Sequence, residues 1–340
     1  MPHLKDFDYK LPNELIAYSP KERGESRLLI VERKSGSFKE SVTREIPSII
    51  EYPAVVARNI TKVVKTRFYG QRESGGRIEF LVLNPYQSSN EYSSLIKRSS
   101  KLKIGDALQI APDAKVEIIG RESSVWRIRI ETKMSSAQFF EKYGHTPLPP
   151  YIKRADERID EESYQTVYAS IDGSAAAPTA GLHFSDSMIE EIRKRGGDFA
   201  DIILHVGLGT FESVKEEDVS KHKMHSEYFS VTKSAAEKLN RAKVKNQKIV
   251  SIGTTTLRVL ETVFSESKFS EQNGMTDIFI YPPYKIESAD ILLTNFHLPQ
   301  STLLMLVSAF AGRELILDAY NYAIERRFRF FSYGDAMLIL

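Results

Sequence analysis

The sequence predicts an α/β protein that carries a separate, small all-β unit, and three observations predict it. From residue 160 onward, strand-type and helix-period apolar runs alternate, the pattern of sheet strands covered by helices. Between about residues 61 and 132, short β-rich runs follow one another between Gly and Pro punctuation, which marks a small barrel or sandwich. A proline-rich stretch, Gly144-His145-Thr146-Pro147-Leu148-Pro149-Pro150-Tyr151, separates the two regimes as a stiff extended connector, because the residue before each proline is pushed out of the helical region.

The elements follow in chain order. Leu28-Leu29-Ile30-Val31 reads as a buried strand and Arg33-Lys34-Ser35-Gly36 as the turn after it; Ala54-Val55-Val56-Ala57 reads as another strand. In the all-β region the expected strands are 63–69, 77–83, 107–110, 115–119 and 125–130. Residues 77–82 place Arg77, Glu79 and Leu81 on one face and Ile78, Phe80 and Val82 on the other. Residues 185–195 read as an amphipathic helix capped by Ser185 and stopped by Gly196-Gly197. Strands are expected at 199–206, 248–253, 277–281 and 291–294, and helices at 234–243, 256–264, 301–310 and 315–326. This alternation points to a largely parallel sheet. No repeat of 20–50 residues is visible.

Composition narrows the chemistry. The 340 residues hold 41% hydrophobic side chains, enough for a large core. Lys plus Arg number 47 against 45 Asp plus Glu, so any nucleic acid must be met by local basic segments, not by a globally positive surface. Cysteine is absent, which removes disulfides, thiolate zinc sites, iron–sulfur clusters and thiol nucleophiles and leaves His, carboxylate, hydroxyl and amine groups. Met1-Pro2-His3-Leu4-Lys5-Asp6 shows no apolar leader, and the longest apolar run, residues 303–311, is too short for a membrane span. A cytoplasmic protein without membrane contact is expected.

Polar groups collect at the predicted strand ends, where α/β proteins bind ligands. Thr179, Gly181 and His183 lie in a small-residue loop before a helix start, where amides attract anions. His205, Gly207 and Thr210 lie in Leu204-His205-Val206-Gly207-Leu208-Gly209-Thr210-Phe211, which lacks the third glycine of a dinucleotide loop. His225 and Glu227 would share one side of a strand; hydrogen bonding to a polar substrate outweighs a metal site there, since no zinc spacing is matched. Thr254 and Thr255, with Arg258 behind them, open a helix after a strand and suit a carboxylate or phosphate, or simply cap the helix; no P-loop occurs. Asn295, His297 and Ser301 sit between a strand and an apolar helix, and Tyr333 and Asp335 close the set as an organised pocket edge or a docked terminus. Four of the seven histidines fall in these loops, which favours an enzyme over a structural module.

In their order along the chain these stretches resemble one family, the S-adenosylmethionine:tRNA ribosyltransferase-isomerases of queuosine biosynthesis. The resemblance rests on Asp6-Phe7-Asp8-Tyr9, Ser26-Arg27-Leu28-Leu29, Glu73-Ser74-Gly75-Gly76, residues 144–154, Tyr164-Gln165-Thr166-Val167-Tyr168-Ala169, residues 176–184, residues 205–211, residues 224–228, Gly253-Thr254-Thr255, residues 276–282, residues 293–311 and residues 330–339. It implies a mixed α/β main domain built from both chain ends, residues 1–59 with 147–340, and an inserted β-barrel over residues 60–146. Two departures stand out. Asn59-Ile60-Thr61 occupies the place of the family's Asn-Asp-Thr, and Gln300 that of a basic residue; they motivate a catalytically silent RNA-binding paralogue as the runner-up reading.

The resemblance implies transfer and isomerisation of the ribosyl group of S-adenosylmethionine onto 7-aminomethyl-7-deazaguanine at the tRNA wobble position. Epoxyqueuosine forms, and adenine and methionine leave. S-adenosylmethionine is consumed as a substrate and no further cofactor is implied. The general base is expected among His183, His205, His297 and Asp335. The methionine carboxylate is expected at Thr254, Thr255 and Arg258. Phosphate contacts are expected from Lys97 and Arg98 with Lys101 and Lys103, from Lys153 and Arg154, and from Arg241, Lys243, Lys245 and Lys248. A monomer is expected, with Tyr151 or Tyr333 as a stacking surface for the wobble base.

Overall fold

The computed structural model describes residues 2–86, 89–97, 99–207, 214 and 216–340. The chain opens with β1 (Arg27–Glu32), β2 (Ser37–Val42), the short helix α1 (Ile46–Ile49), β3 (Ala54–Asn59) and β4 (Thr61–Val63). The all-β region follows: β5 (Arg67–Arg72), β6 (Arg77–Val82), β7 (Glu91–Ile96), β8 (Ala107–Ala111), β9 (Ala114–Glu122), β10 (Val125–Thr132), and then α2 (Ser136–Tyr143). The return comprises α3 (Arg158–Ser163), β11 (Ile171–Ser174), α4 (Asp186–Lys194), β12 (Gly197–Leu204), β13 (Glu227–Val231), α5 (Lys233–Val244), β14 (Lys248–Ile252) and α6 (Thr254–Val263). Last come the small hairpin β15 (Phe264–Ser265) and β16 (Lys268–Phe269), β17 (Gln272–Thr276), β18 (Ile291–Asn295), α7 (Thr302–Ala311), α8 (Arg313–Glu325) and β19 (Ala336–Ile339).

The six strands β5 to β10 close into a barrel in the order β10-β7-β6-β5-β8-β9. Alternation builds it: Ile78, Phe80 and Val82 of β6 point inward with Val116 and Ile118 of β9 and Ile128 of β10. Helix α2 plugs it with Phe139 and Phe140, whose rings meet Phe68 at 5.0 and 5.6 Å. Its N-cap Ser135 accepts from the Gln138 amide. Lys65 ties this unit to the return segment, bonding Glu141 of α2 at 2.8 Å and lying 3.2 Å from Glu161 of α3. The connector 144–151 is laid down on the barrel, with the His145 amide donating to the Arg67 carbonyl at 2.8 Å.

The large sheet draws on both sides of the barrel, in the order β17-β13-β12-β3-β14-β18-β19-β1-β2. Its centre, β12-β3-β14-β18, is parallel, and so is β19-β1. The pairs β17-β13, β13-β12, β18-β19 and β1-β2 are antiparallel. The sheet is therefore mixed, which corrects the largely parallel one expected. Central strands are apolar on both faces, since α4 lies on one side and α5 to α8 supply much of the other.

Three local expectations need correction. The run 63–69 is not one strand: β4 pairs with β11 of the return segment, and the chain turns before entering the barrel at β5. The strand expected at 277–281 lies one segment earlier, at β17. Its Gln-Asn-Gly residues carry no apolar pattern because an edge strand needs none, and β2 went unpredicted for the same reason. Finally, β7 and α2 were not foreseen at all.

Candidate active site

Four parallel strands end on one edge of the sheet, and the loops that leave three of them form the site. β18 runs directly into Thr294-Asn295-Phe296-His297, β14 into Gly253-Thr254-Thr255 and β12 into His205-Val206. β19 runs antiparallel to β18, so the segment before it, Phe331-Ser332-Tyr333, returns to that same edge. Two adjoining cavities open there. The first, about 50 Å³, is walled by Tyr151, Phe296, Leu298, Ser301, Phe331 and Ser332. The second, about 30 Å³, is walled by Ala177, Ala180, Val206, Gly253, Thr254 and Thr255. Thr179, Asn295, His297 and Leu303 line both.

His297 is held at this shared wall from its backbone and its ring. Its amide donates to the Tyr320 hydroxyl at 2.9 Å, and its carbonyl accepts from the Tyr9 hydroxyl. Burial pushes both of these phenols well above their usual range, so they stay protonated. The His297 Nε2 lies 2.8 Å from Thr294 Oγ1, which is also 3.3 Å from the Asn295 carbonyl. When Thr294 donates to that carbonyl, His297 must donate from Nε2, and the lone pair falls on Nδ1. Burial lowers this imidazole to about 3, so it is neutral near pH 7.

His183 acts through a neighbour. The Asn295 Nδ2 donates to His183 Nε2 at 3.1 Å and to the Phe331 carbonyl at 3.3 Å, while Asn295 Oδ1 accepts from Thr179 Oγ1 at 2.9 Å. His183 thus spends its lone pair orienting Asn295, and it faces a separate cavity with Arg23 and Tyr333. Burial lowers it to about 4, offset in part by Asp335. His205 lines neither of the joined cavities. Its Nδ1 meets Thr61 Oγ1 at 2.9 Å, and its ring stacks on Tyr86 and Tyr228 at 4.8 and 5.5 Å. Burial lowers it to about 4. Asn59 and Thr61 do the polar work at the barrel entrance: Asn59 bonds both the Leu204 amide and its carbonyl. Ile60 between them contributes backbone bonds to Ile202, Ser170 and Ile171.

The remaining expected residues divide sharply. Ser301 lines the first cavity while capping α7 through the Leu304 amide. Gly181 packs against Tyr168, where a Cβ would stand 2.1 Å from the phenol oxygen, so it serves loop packing. Asp335 is fully buried and accepts from the Arg27 and Arg329 amides at 2.9 and 2.8 Å, which makes it a turn anchor and not a base. Arg258 is 2% exposed and paired to Glu227, whose other oxygen holds the Gly207 amide at 2.7 Å; the three brace the loop after β12 and do not line the cavities. His225 is exposed and Glu227 buried, so they do not share a face. Among the described residues no group of His, Asp and Glu could hold a metal.

Tyr333 gives its hydroxyl to Asp160 at 2.9 Å, and Arg154 grips the same carboxylate at 2.6 and 2.8 Å. Arg154 is thus an anchor for α3. Lys153 is exposed, and Lys97 is exposed but 2.8 Å from Glu79. Thr210 and Arg98 lie outside the described residues. Sequence reasoning assigned no role to Leu298, Leu303 or the Tyr9–Tyr320 clamp: the leucines are apolar, and Tyr9 and Tyr320 meet His297 only through the fold.

Three buried neutral imidazoles give a pH prediction. Their folded values lie below the unfolded value of about 6.5, so the stability they contribute is complete above that pH. It is lost as pH falls from about 6.5 toward 4, at about 1.4 kcal/mol per pH unit for each group. Urea unfolding at pH 7 and pH 5 should show the loss, and His297→Gln should reduce it. An identical pH dependence in both proteins would mean that His297 binds its proton as readily in the fold as in the unfolded chain.

A family model described as "Queuosine biosynthesis protein" matches residues 4–339. The chain is 46% identical over 339 residues, 99% of each chain, to a protein of Sulfurihydrogenibium sp. (strain YO3AOP1) named S-adenosylmethionine:tRNA ribosyltransferase-isomerase. A protein of the same name from Carboxydothermus hydrogenoformans is 46% identical over 342 residues, again 99% of each. The crystal structure of an S-adenosylmethionine tRNA ribosyltransferase from Thermotoga maritima covers 98% of this chain and 100% of its own, at 35% identity and a TM-score of 0.57.

Proposed function

The chain belongs to the queuosine biosynthesis protein family, and from that premise we propose that it transfers and isomerises the ribosyl group of S-adenosylmethionine onto 7-aminomethyl-7-deazaguanine at the tRNA wobble position. One observation carries the chemical part of the reading: a neutral histidine, His297, sits on the wall common to two adjoining cavities. In this reading the polar tail and the purine of the substrate take one chamber each, which brings its central carbons to that imidazole.

The substrate supplies the acidity. Its sulfonium stabilises a carbanion on the ribose 5′ carbon, so a proton can pass from that carbon to the lone pair of His297. This imidazole is a weak base because it is buried, and it is wholly in its basic form near pH 7. The ylide left behind expels adenine. The aminomethyl nitrogen of the tRNA base then bonds to the sugar, and closure of the epoxide breaks the bond to sulfur and releases methionine. No cofactor beyond the consumed S-adenosylmethionine enters this scheme. The tRNA is met by exposed cations, of which Lys101, Lys103 and Lys153 stand open to solvent. Among the described residues no helix is long and apolar enough to cross a membrane, and the cytoplasm, where tRNA is found, is the compartment the reading requires.

The test follows adenine. Protein, S-adenosylmethionine and tRNA are mixed, with the tRNA either carrying the 7-aminomethyl-7-deazaguanine base or lacking it. Release of adenine only with the preloaded tRNA is the expected result. Binding of tRNA without any release would mark a silent RNA-binding relative, and release without tRNA a nucleoside hydrolase.

A further inference from the structure

The second cavity is built differently from the first. Its floor is the start of α6, a ten-residue helix whose N-cap is Gly253. Gly253 adopts φ 88° and has no side chain to offer, so no cap bond reaches the first turn. The amides that open this helix carry the positive end of its dipole toward the cavity lined by Thr254 and Thr255. An independent observation stands beside this one. Thr255 is 7% exposed, it lines the cavity, and its buried Oγ1 has no hydrogen-bond partner. That hydroxyl lies 3.5 Å from the position a Gly253 Cβ would take, which puts it at the capless end of the helix. Native structures seldom leave such a donor unmet. Of the six helices here of eight or more residues, four close their first turn with a side chain, Ser135, Ser185, Thr232 and Ser301 each accepting from an amide, while α8, N-capped by Gly312, is open as α6 is.

The first cavity is the aromatic one. Tyr151 and Phe331 meet at 4.9 Å between ring centroids. Phe331 is held at φ 74°, which a side chain of this size adopts only when its neighbours over-determine it. Its amide donates to the Phe296 carbonyl and its own carbonyl accepts from Asn295.

We propose that the opening of α6, through its first-turn amides and the Thr255 hydroxyl, is the carboxylate subsite for the amino-acid tail of the sulfonium substrate, with the purine in the Tyr151–Phe331 chamber and the sulfonium at the shared wall. The proposal rests on the function given above and fixes the direction in which the substrate lies. It removes Arg258 from the subsite: the pair with Glu227 neutralises that guanidinium, and it sits behind the first turn as a positioning residue. A carboxylate suits the site because it accepts from several amides and a hydroxyl at once.

Calorimetric titration in the presence of tRNA tests it, using S-adenosylmethionine and its decarboxylated analogue as probes. The wild-type protein should bind the carboxylated ligand about 10-fold or more tightly than the analogue. Thr255→Val should lose about 10-fold for S-adenosylmethionine and almost nothing for the analogue, and Thr255→Ser should restore the difference. Equal affinities of the wild-type protein for the two ligands, or an equal loss for both in Thr255→Val, would overturn the subsite and leave the functional reading standing. Failure of the wild-type protein to bind S-adenosylmethionine at all would remove that reading and the subsite with it.

Discussion

His297→Ala is expected to lower adenine release at saturating substrates about 10²–10⁴-fold, the usual range for removing a general base, with the fold intact. The side chain is nearly buried at the wall of two cavities, and its backbone is clamped by Tyr9 and Tyr320 independently of the imidazole. Far-ultraviolet circular dichroism should therefore be unchanged. His183→Ala should behave differently. It frees Asn295, and through it Thr179, so the loss should fall more on the KM for S-adenosylmethionine than on kcat. Asp335→Asn should act on stability, because its oxygens hold two backbone amides and line neither cavity. Turnover within a few-fold of wild type in His297→Ala would sink the assignment, and a full loss in His205→Ala alone would move it to the Tyr86–His205–Tyr228 stack.

The second large effect is on stability. Glu227→Ala should cost about 3–5 kcal/mol of unfolding free energy, since breaking a buried ion pair leaves one charge uncompensated. The remaining guanidinium is 2% exposed, and two of its nitrogens already lack acceptors. The same substitution releases the Gly207 amide at the start of the loop after β12. Replacing both members, as in Glu227→Leu with Arg258→Met, should recover most of the loss, because two apolar side chains of similar volume need no counter-charge. Urea denaturation of the single and double variants measures this. A single variant that loses less than about 1 kcal/mol would show that water reaches the pair and screens it.

Two capped helices are legible, α4 and α7, which start where Ser185 and Ser301 cap them, because an N-cap is a local bond between neighbours in sequence; α2, capped in the same way by Ser135, is not, since its eight residues are too short to show a period. Buried central strands were legible through their unbroken apolar runs, whereas the polar edge strands β2 and β17 were not, since an edge strand facing water has no pattern to show. The loops that hold Thr179, Asn295, His297 and Ser301 were legible as well, because strand ends concentrate polar groups. The roles inside those loops were not. Asp335 and His297 both looked like candidate bases, and only their partners separate them: two backbone amides for the carboxylate, a cavity wall for the imidazole.

By itself, then, the sequence determined the two regimes of the chain, its central elements, the absence of cysteine, and the strand-end loops that hold the candidate site residues. All of these depend on composition and on contacts between near neighbours. The tertiary structure alone decided that the sheet is mixed, that Arg154, Arg258, Glu227 and Asp335 are anchors, and that His297 faces two joined chambers. Most of those facts depend on a partner distant in the chain, Glu227 for Arg258 or Tyr9 for His297. Burial set by such distant partners also determines which histidines are neutral at working pH.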